Sequence, residues 1–456
     1  MGTCLPSRAI SWYPRCSRSE QPRSPQRRRN AHARLSRDRP RRPSVARLSV
    51  LEPLTRQPRN SRPHRSAPHP TTTHYLEPMH VDFTPSPGPS LGVEVEYGVV
   101  DKETGKYVEV ADEILSIVGA GHPEAEHPKA KHELFNHSIE VITGVCQTPD
   151  EAVADLKATL LELKPLLDER NLAMMSSGTH PFASWDSMSL SPGERYRRLL
   201  DEIGWPARRL AIHGVHFHVG VRSKEKSIKF IDSLLGFLPQ MLALSTSSPY
   251  WLGDDTGLAS IRSKIFEVMP TSGLPPWMQD WAAFERFMTA LIKAETIRSV
   301  KEVWWDIRPH PTYGTIEFRM CDGIPTLREV RSIAALAQAL VVWMDQQVDA
   351  GEPLPDIPSW VARENKWRAS RFGLDGRVMT DVSGNTQSFK DNIVGIVDML
   401  QPVAAGLGTL DALNGVREIL ETGSSAARQR AVVAQGGSLR DVVTLVREEL
   451  AAELRS

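Results

Sequence analysis

The chain has 456 residues, an apolar content of 40% and equal numbers of basic and acidic side chains, which is enough for one large domain or two to three smaller ones. The zero net charge hides an asymmetry, because residues 1–78 carry 17 Arg, no Lys and 4 acidic residues, whereas the rest of the chain has an excess of 13 acidic residues. An acidic body excludes general nucleic-acid binding by that part of the chain.

The cysteines and the apolar runs indicate the compartment. Cys146 and Cys321 are far apart and stand beside apolar residues, Cys4 and Cys16 lie in the basic N-terminal stretch, and there is no CxxC pair. This pattern is typical of a reducing compartment. No apolar run reaches the roughly 18 residues that a membrane-spanning helix needs. We therefore expect a soluble, cytoplasmic protein with no membrane or nucleic-acid partner.

Residues 1–78 repeat Arg, Pro and Ser without hydrophobic periodicity, so we predict a disordered leader. Three interpretations compete: an organellar transit peptide, a basic nucleic-acid or membrane arm, and upstream sequence translated from a misplaced start codon. The 12 prolines of this segment oppose the long amphipathic helix of a transit peptide. The Lys-free composition favours the misplaced start, with Met79 as the natural beginning and one domain over residues 79–456.

The body begins with Leu91–Asp101, LGVEVEYGVVD, whose alternation predicts a strand. A turn at Thr104-Gly105 leads into a further extended segment at 106–110. More extended segments are predicted at 131–143, 172–177, 212–221, 302–308 and 314–321. Helices are predicted at 111–118, 149–170, 195–203, 227–245, 277–293, 327–348, 360–371, 392–400, 410–421, 425–433 and 439–454. A loop of turn residues is predicted at 249–257.

Strands come first in this order and helices last, and the strands are joined by hairpin-like links. Such an order predicts an α+β fold with a mostly antiparallel sheet packed by helices, and a helical C-terminal region from about residue 327.

Candidate functional residues begin in the first strand. Glu94 and Glu96 share one face of it, roughly 7 Å apart, while Val93, Val95 and Tyr97 share the other. By itself, this pattern also fits a half-buried strand with a solvated acidic face.

The stretch HGVHFHVG offers two histidines, His216 and His218, on one face of a predicted strand. A buried histidine is usually part of the core, but two alternating histidines between glycines favour a ligand-binding role. There is no HExxH motif and no cysteine cluster for zinc. Carboxylates would have to complete a metal site, which indicates magnesium or manganese.

Two further segments add charged pairs. In GTIEFRMCD, Glu317 and Arg319 share a face, although a solvated ion pair of little energetic value is an equal alternative. Glu133 and Glu140 are seven residues apart, which puts them on opposite faces of a continuous strand. They serve one site if a turn or bulge near Asn136 resets the register.

Together these segments predict a sheet face that holds divalent cations between carboxylates and uses arginine to neutralise a polyanion. The obvious polyanion is a nucleoside triphosphate. Neither a GxxxxGK[ST] nor a GxGxxG loop is present, so metal and arginine would hold the phosphates. Arg262 and Arg319 are the predicted cations, with Arg308 and Lys264 behind them.

The body resembles the type 2 glutamate-cysteine ligases, also called ATP-dependent carboxylate-amine ligases, of the glutamine synthetase-like superfamily. Seven motifs carry the resemblance, in order between Leu91 and about Leu374: LGVEVEY, HELFNHSIEVITGVC, SSGTHPFASW, HGVHFHVG, SSPYWLGDDTGLASIRSKIFEVMPTSGLPP, WWDIRPHPTYGTIEFRMCD and ARENKWRASRFGLD. The leader lies outside it, and the last helices add no motif.

The resemblance implies an antiparallel sheet that forms a funnel, with ATP at one end, the acceptor carboxylate at the other, and two or three Mg²⁺ ions between them (Mn²⁺ is an alternative). By motif position, the implied metal ligands are Glu94, Glu96, Glu133, Glu140, His216 and Glu317. Arg319 is implied at the transferred phosphate, and His218 is left without a role. The family's first motif usually has three successive acids, whereas Val95 stands between two acids here. The side chain of a middle acid would point to the opposite face of the strand. We therefore expect metal binding to be retained.

The implied reaction is ATP-dependent formation of an amide of the γ-glutamyl-cysteine type through an acyl phosphate. Members that resemble this chain can have weak glutamate-cysteine ligase activity and another true pair of substrates. Two alternatives remain. The first is a metal-dependent amide hydrolase that uses the same face, and a stoichiometric need for ATP would exclude it. The second is a binding or structural protein, and absence of ATP binding in the presence of Mg²⁺ would favour it. The expected partners are small molecules, and a homo-oligomer is compatible with the sequence.

Overall fold

The computed structural model describes residues 79–455, so the predicted disordered leader lies outside the described residues. The strands are β1 (Leu91–Asp101), β2 (Ala130–His132), β3 (Ser138–Ile142), β4 (Leu172–Met175), β5 (Gly214–Gly220), β6 (Tyr250–Trp251), β7 (Asp254–Asp255), β8 (Ile307–His310), β9 (Thr315–Asp322), β10 (Arg377–Met379) and β11 (Thr386–Ser388).

Helices α1 to α8 alternate with these strands, and α9 to α14 fill the C-terminal part. Their bounds are α1 (Ala111–Gly119), α2 (Pro149–Asp168), α3 (Glu194–Ile203), α4 (Trp205–Arg208), α5 (Lys224–Leu234), α6 (Leu238–Ser245), α7 (Arg262–Phe266), α8 (Trp281–Lys293), α9 (Leu327–Asp349), α10 (Ser359–Phe372), α11 (Phe389–Leu407), α12 (Leu410–Thr422), α13 (Ser425–Ala434) and α14 (Leu439–Arg455).

One sheet organises the described residues. Its strand order is β2-β3-β1-β5-β9-β8, β4 pairs with the far end of β1, and each of these pairs is antiparallel. The alternation in β1 orients the sheet, because Val93, Val95 and Tyr97 are buried while Glu94 and Glu96 are half-buried on the opposite face. The predicted α+β class, with its antiparallel sheet and helical C-terminal region, is confirmed.

The apolar face of the sheet packs against α2, α6 and α9. Helix α9 is 23 residues long, and its buried positions are mostly alanine, valine, leucine and isoleucine. Thr326 caps it, since the Glu329 amide donates to the Thr326 hydroxyl at 3.3 Å and that hydroxyl donates to the Glu329 carboxylate at 2.6 Å. Arg428 of α13 joins Glu329 to Glu449 of α14. The C-terminal helices are thereby fixed to the central one.

Three local predictions were wrong. The helix predicted at 227–245 is two helices, α5 and α6, which meet at 67°. Gly236 lies in the break, and Pro239 is in the first turn of α6. A proline is tolerated there because the amide that it lacks would have no partner within the helix. The segment 106–110 is not a strand, and Tyr107 makes an isolated bridge to Val100. The predicted loop at 249–257 contains the small hairpin of β6 and β7. The turn before Gly105 is present, with Gly105 at a φ of 69°.

Short elements were also missed, namely α7 and the β10–β11 hairpin, because three to five residues carry too little periodicity to be recognised. No single helix among the described residues has the length and composition to cross a membrane. The bent pair α5–α6 passes by length and composition alone, and most of its residues are buried inside the fold.

Lys366 of α10 makes a buried ion pair beside the sheet. Its Nζ lies 2.6 Å from Asp306 Oδ2 and 2.6 Å from Glu267 Oε1, and the Lys366 and Asp306 side chains are 4% and 5% exposed. Burial alone would lower the pKa of Lys366, but Asp306 and Glu267 raise it. Because the Arg319 amide donates to the Asp306 carbonyl at 2.8 Å, this pair supports the strand that carries Arg319.

We predict that Lys366→Met lowers the free energy of unfolding by about 3–5 kcal/mol, because it leaves the Asp306 carboxylate buried without a counter-charge. Arg417→Met is the matched control, since Arg417 pairs with Asp398 on a more exposed helix surface and should cost about 1 kcal/mol or less. Denaturant unfolding of both variants measures the difference. Equal losses would contradict the role given to the buried pair.

Candidate active site

The strand register brings the predicted acids and histidines to one face of the sheet. Glu94 of β1 lies opposite His216 of β5, and Glu96 lies opposite Glu140 of β3. On the other side of β5, His218 is opposite Glu317 of β9. Since directly opposed side chains in an antiparallel pair have Cβ atoms about 4.5–5.5 Å apart, neighbouring strands build a continuous cluster.

Glu133 joins this cluster because the chain turns between β2 and β3. Lys131 pairs with Glu140, and residues 136 and 137 form the turn that the sequence required near Asn136. Glu133 follows β2 directly, and its Oε2 accepts a hydrogen bond from the Leu134 amide at 3.0 Å. Glu133 and Glu140 therefore line the same cavity.

A bulge in β9 sets the position of Arg319. Val215 is opposite Cys321 and Phe217 is opposite Phe318, so two residues of β9, Arg319 and Met320, stand opposite His216. Bulges of this kind re-aim side chains and are common beside active sites. Here the bulge lets Arg319 face the cavity while Met320 is buried.

The cavity on this face has a volume of about 310 Å³. Its lining includes Glu94, Glu96, Glu133, Glu140, His216, Arg262, Arg308, Glu317 and Arg319. Lys264 is not brought to it: the Lys264 ammonium lies 2.9 Å from Glu267 Oε2 and 5.5 Å from the centre of the Trp367 ring. A larger neighbouring cavity of about 1030 Å³ shares Arg195 and Trp304 with the first.

The half-buried carboxylates of Glu96, Glu133 and Glu140 repel one another on this face. Burial and the charge of Glu133 raise the pKa of Glu96 to about 8, although Arg262 and the Gly214 amide oppose this. Burial raises the pKa of Glu133. Burial and the surrounding glutamates raise the pKa of Glu140 well above its usual value. This excess of negative charge is what a divalent cation would offset, so the donor set fits one.

The ligand atoms are close enough for cation binding. Glu94, His216 and Glu317 form one group, and Glu96, Glu140 and His216 form another; in each, one donor atom per residue lies within 4.8 Å of the others. Oxygen-rich sets with one imidazole suit Mg²⁺ or Mn²⁺ better than zinc. Burial and Arg319 lower the pKa of His216 to about 4, so its ring is neutral, as a ligand must be.

The other two acids of the cluster, Glu94 and Glu317, have lowered pKa values. Burial would raise the pKa of Glu317, but Arg319 and Arg308 hold it well below its usual value. Arg308 Nε donates to Glu317 Oε2 at 2.7 Å, and Arg319 Nη1 donates to Glu317 Oε1. Burial would likewise raise the pKa of Glu94, but His218 and His216 lower it. Two arginines therefore stand beside the acids and face the cavity.

His218 and His310 also line the cavity; the alternating pattern favoured ligand binding by His218, whereas His310 was not identified. His218 Nε2 lies 3.3 Å from Glu94 Oε1 and 4.0 Å from Glu317 Oε1, while its Nδ1 lies 3.1 Å from the Thr315 hydroxyl. His310 is two residues after Arg308 on β8, so the same period-two rule could have found it. Arg195 and Tyr196 of α3 also line the cavity. Their sequence context does not distinguish them from ordinary surface residues of a helix.

A family comparison supports the order of these motifs along the chain. The model described as "Glutamate-cysteine ligase family 2 (GCS2)" matches residues 90–445.

The chain belongs to glutamate-cysteine ligase family 2.

Relatives in this family match most of the body. A protein of Thermobifida fusca (strain YX) described as "Putative glutamate--cysteine ligase 2" is 45% identical over 374 residues, which are 82% of this chain and 94% of that protein. A "Putative glutamate--cysteine ligase 2-1" of Frankia alni is 48% identical over 377 residues, covering 82% of this chain and 98% of that protein.

Two solved structures are similar in fold at low sequence identity. The glutamate–cysteine ligase of Francisella tularensis in complex with AMP has a TM-score of 0.63 and 12% identity, covering 82% of this chain and 90% of that chain. A bifunctional glutathione synthetase of Pasteurella multocida has a TM-score of 0.58 and 14% identity, covering 80% of this chain and 53% of that chain. These likenesses show the fold.

The acid cluster is predicted to bind a hard divalent cation. Glu140→Gln removes one carboxylate while keeping the side-chain shape, and it should weaken Mn²⁺ binding at least about tenfold, since even outer-shell partners of a metal are worth about 10- to 100-fold in affinity. Titration of the protein with Mn²⁺, followed by the electron paramagnetic resonance signal of the free ion, measures this. Glu162→Gln, at an exposed acid of α2, is the control. Equal Mn²⁺ affinity in both variants would contradict the assignment.

Proposed function

We propose that the protein is an ATP-dependent carboxylate–amine ligase that joins a carboxylate to an amine through an acyl phosphate. The observation that carries this proposal is the register of β3, β1, β5 and β9, which brings acids, histidines and arginines to one face. Family membership supports the same reaction class, as do relatives named as glutamate–cysteine ligases.

Mg²⁺ is part of the proposal. Glu94, His216 and Glu317 would hold one ion. Glu96 and Glu140, with Glu133 on the same cavity lining, would hold another, because few counter-charges surround this second set. When bound, the metal supplies positive charge that neutralises phosphate oxygens.

Arg319 is the proposed cation at the transferred phosphoryl group. Glu317 holds its guanidinium by a charged hydrogen bond, and Arg308 shares the same carboxylate from β8. Arg308 contacts both Glu317 oxygens and so fixes the carboxylate that orients the Arg319 guanidinium before the substrates bind. Preorganised donors aimed at developing charge are among the largest contributions to catalysis.

The proposed reaction has two balanced steps. A carboxylate oxygen of the acceptor attacks the γ-phosphorus of ATP, the bond to the β,γ-bridging oxygen breaks, and ADP leaves. The amine nitrogen then attacks the acyl carbon and loses a proton, and the carbon–oxygen bond to phosphate breaks. In the first step the two reactants are both anionic, so the cations on this face are needed to bring them together.

The proposed substrates are the γ-carboxylate of glutamate and the amine of cysteine, by extension from the names of the relatives. The neighbouring cavity of about 1030 Å³, with Arg195 and Lys301 on its lining, leaves room for a larger acceptor or amine. We also place the reaction in the cytoplasm, which the two free, buried cysteines, Cys146 and Cys321, support.

The test is an ADP-release screen of carboxylate and amine pairs, with the amide product identified by mass spectrometry. We expect ADP release that depends on Mg²⁺, on a carboxylate and on an amine, with glutamate and cysteine giving at least weak activity. Amide hydrolysis without ATP would instead identify the metal-dependent hydrolase. Failure to bind ATP in the presence of Mg²⁺ would overturn the proposal.

Two variants test the assigned residues. Arg319→Met and Glu317→Gln should each lower kcat for amine-dependent ADP release by about 10²- to 10³-fold, the usual loss when one preorganised contact is removed. Circular dichroism and thermal unfolding check that the variants stay folded. Arg331→Met, which removes a cation paired with Asp150 and Asp411 away from the site, is the control. Parental ADP release by Arg319→Met would exclude Arg319 from the transfer step.

A further inference from the structure

Asp322, the last residue of β9, is a buried carboxylate whose oxygens are both hydrogen-bonded. Its Oδ2 accepts from the Ser247 amide at 3.0 Å and from the Ser248 hydroxyl at 2.7 Å, and its Oδ1 accepts from the Ser260 hydroxyl at 2.7 Å. Asp322 is 0% exposed and does not line the acid-lined cavity. Such full satisfaction by three donors indicates a fixed, specific position.

The hydrogen bonds of Asp322 determine where α7 begins. Ser248 and Ser260 form a parallel bridge, and the Ser248 hydroxyl, which donates to Asp322, accepts from the Arg262 amide at 3.1 Å. The Ser260 hydroxyl accepts from the Ser263 amide at 3.3 Å. One carboxylate is therefore connected through two serines to the first turn of the helix that carries Arg262.

Arg262 faces the acid-lined cavity, and some of its guanidinium N–H groups are not used in hydrogen bonds among the described residues. It is 3% exposed and lines the cavity. Its Nη1 donates to the Met320 carbonyl at 3.4 Å, and its Nε has no hydrogen-bond partner within the described residues. The guanidinium lies against Gly214, at a point where a β-carbon would overlap it. The Gly214 amide in turn donates to Glu96 at 2.6 Å.

A buried guanidinium with unused N–H groups is costly unless a ligand takes them up. The acids around Arg262 cannot all accept hydrogen bonds from its guanidinium, because Glu96, Glu133 and Glu140 are the proposed metal-binding set. An anionic oxygen of a substrate, from either a phosphate or a carboxylate, has the charge and the acceptor geometry that guanidinium matches.

We propose that Asp322 is a positioning residue, which fixes Arg262 through Ser248 and Ser260 so that its guanidinium binds an anionic oxygen of a substrate on the acid-lined face. Asp322 itself contacts no substrate. The substrate part of this inference rests on the proposed ligase function, whereas the positioning of Arg262 stands on the hydrogen bonds alone. An error of about 1 Å in the placement of such a group costs about 10²-fold in rate.

A double-mutant cycle in the full-length protein tests the link between the two residues. Asp322→Asn keeps the shape but replaces an acceptor oxygen with a donor, and it should lower kcat/KM by about 10²-fold. In an Arg262→Met background the same substitution should cost about 2-fold or less, because the group that it positions is gone. Independent, multiplicative losses would overturn the proposal.

Two milder variants guard against loss of folding. Ser260→Ala removes one donor to Asp322 and should give a smaller loss with the same dependence on Arg262. Gly214→Ala keeps the amide that serves Glu96 but places a methyl group against the guanidinium, and it should lower kcat/KM in the wild-type background while changing little with Arg262→Met. If either loss persists in the Arg262→Met background, the effect does not pass through Arg262 and the proposal fails.

A control and a separate readout complete the experiment. Lys226→Met removes a half-buried pair with Asp345 of α9, neither residue of which lines the acid-lined cavity, and it should lower stability without changing kcat/KM. An increase in KM for ATP, or for the carboxylate, identifies which substrate Arg262 binds. The ¹⁵N–¹H signal of the Arg262 Nε, assigned by its loss in Arg262→Lys, reports position without turnover: an unchanged signal in Asp322→Asn would exclude the positioning role. An inactive wild type would instead refute the ligase function.

Discussion

The mutual repulsion of buried carboxylates is the constraint on which the rest of the site depends. Glu96, Glu133 and Glu140 share one face, where burial and mutual charge raise their pKa values. Under the proposed function, a divalent cation would neutralise this cluster. The neighbouring half, Glu94 and Glu317, is already balanced by histidines and arginines. The face thus separates into a part with an excess of carboxylates, which is the proposed cation site, and a part with fixed positive charge.

The sheet and the helices behind it hold these charges at fixed distances. Hydrogen-bonded antiparallel neighbours set the spacing of opposed side chains, and the apolar packing of α9 on the other face prevents the strands from moving apart. Buried polar contacts beside the sheet also hold its residues in place. Lys366 pairs with Asp306, whose carbonyl accepts from the Arg319 amide, and Gln429 of α13 donates to the Ser247 carbonyl at 2.7 Å. The C-terminal helices are therefore part of the support of the site.

Periodicity in the sequence predicted the part of this arrangement that depends on alternation. Glu94 with Glu96, His216 with His218, and the need for a turn near Asn136 all followed from the two-residue period of a strand. The pairing of strands, including the bulge opposite His216, was not predictable, because it depends on long-range register. The break between α5 and α6 was missed although Gly236 and Pro239 lie at it. The prediction for Lys264 was wrong, because its ammonium is directed to Glu267, three residues later on the same turn of the chain. Asp322 gave no signal, because its partners lie 62 to 75 residues away.

Transfer of an oxygen atom from the carboxylate substrate to phosphate tests the central claim most directly, since it reports the acyl phosphate itself. A carboxylate substrate labelled with ¹⁸O would be incubated with ATP, Mg²⁺ and amine, and the inorganic phosphate analysed by ³¹P NMR. The acyl-phosphate mechanism predicts that one ¹⁸O appears in phosphate and one ADP is released for each amide formed. Amide formation with unlabelled phosphate, or ADP release without a labelled product, would contradict it.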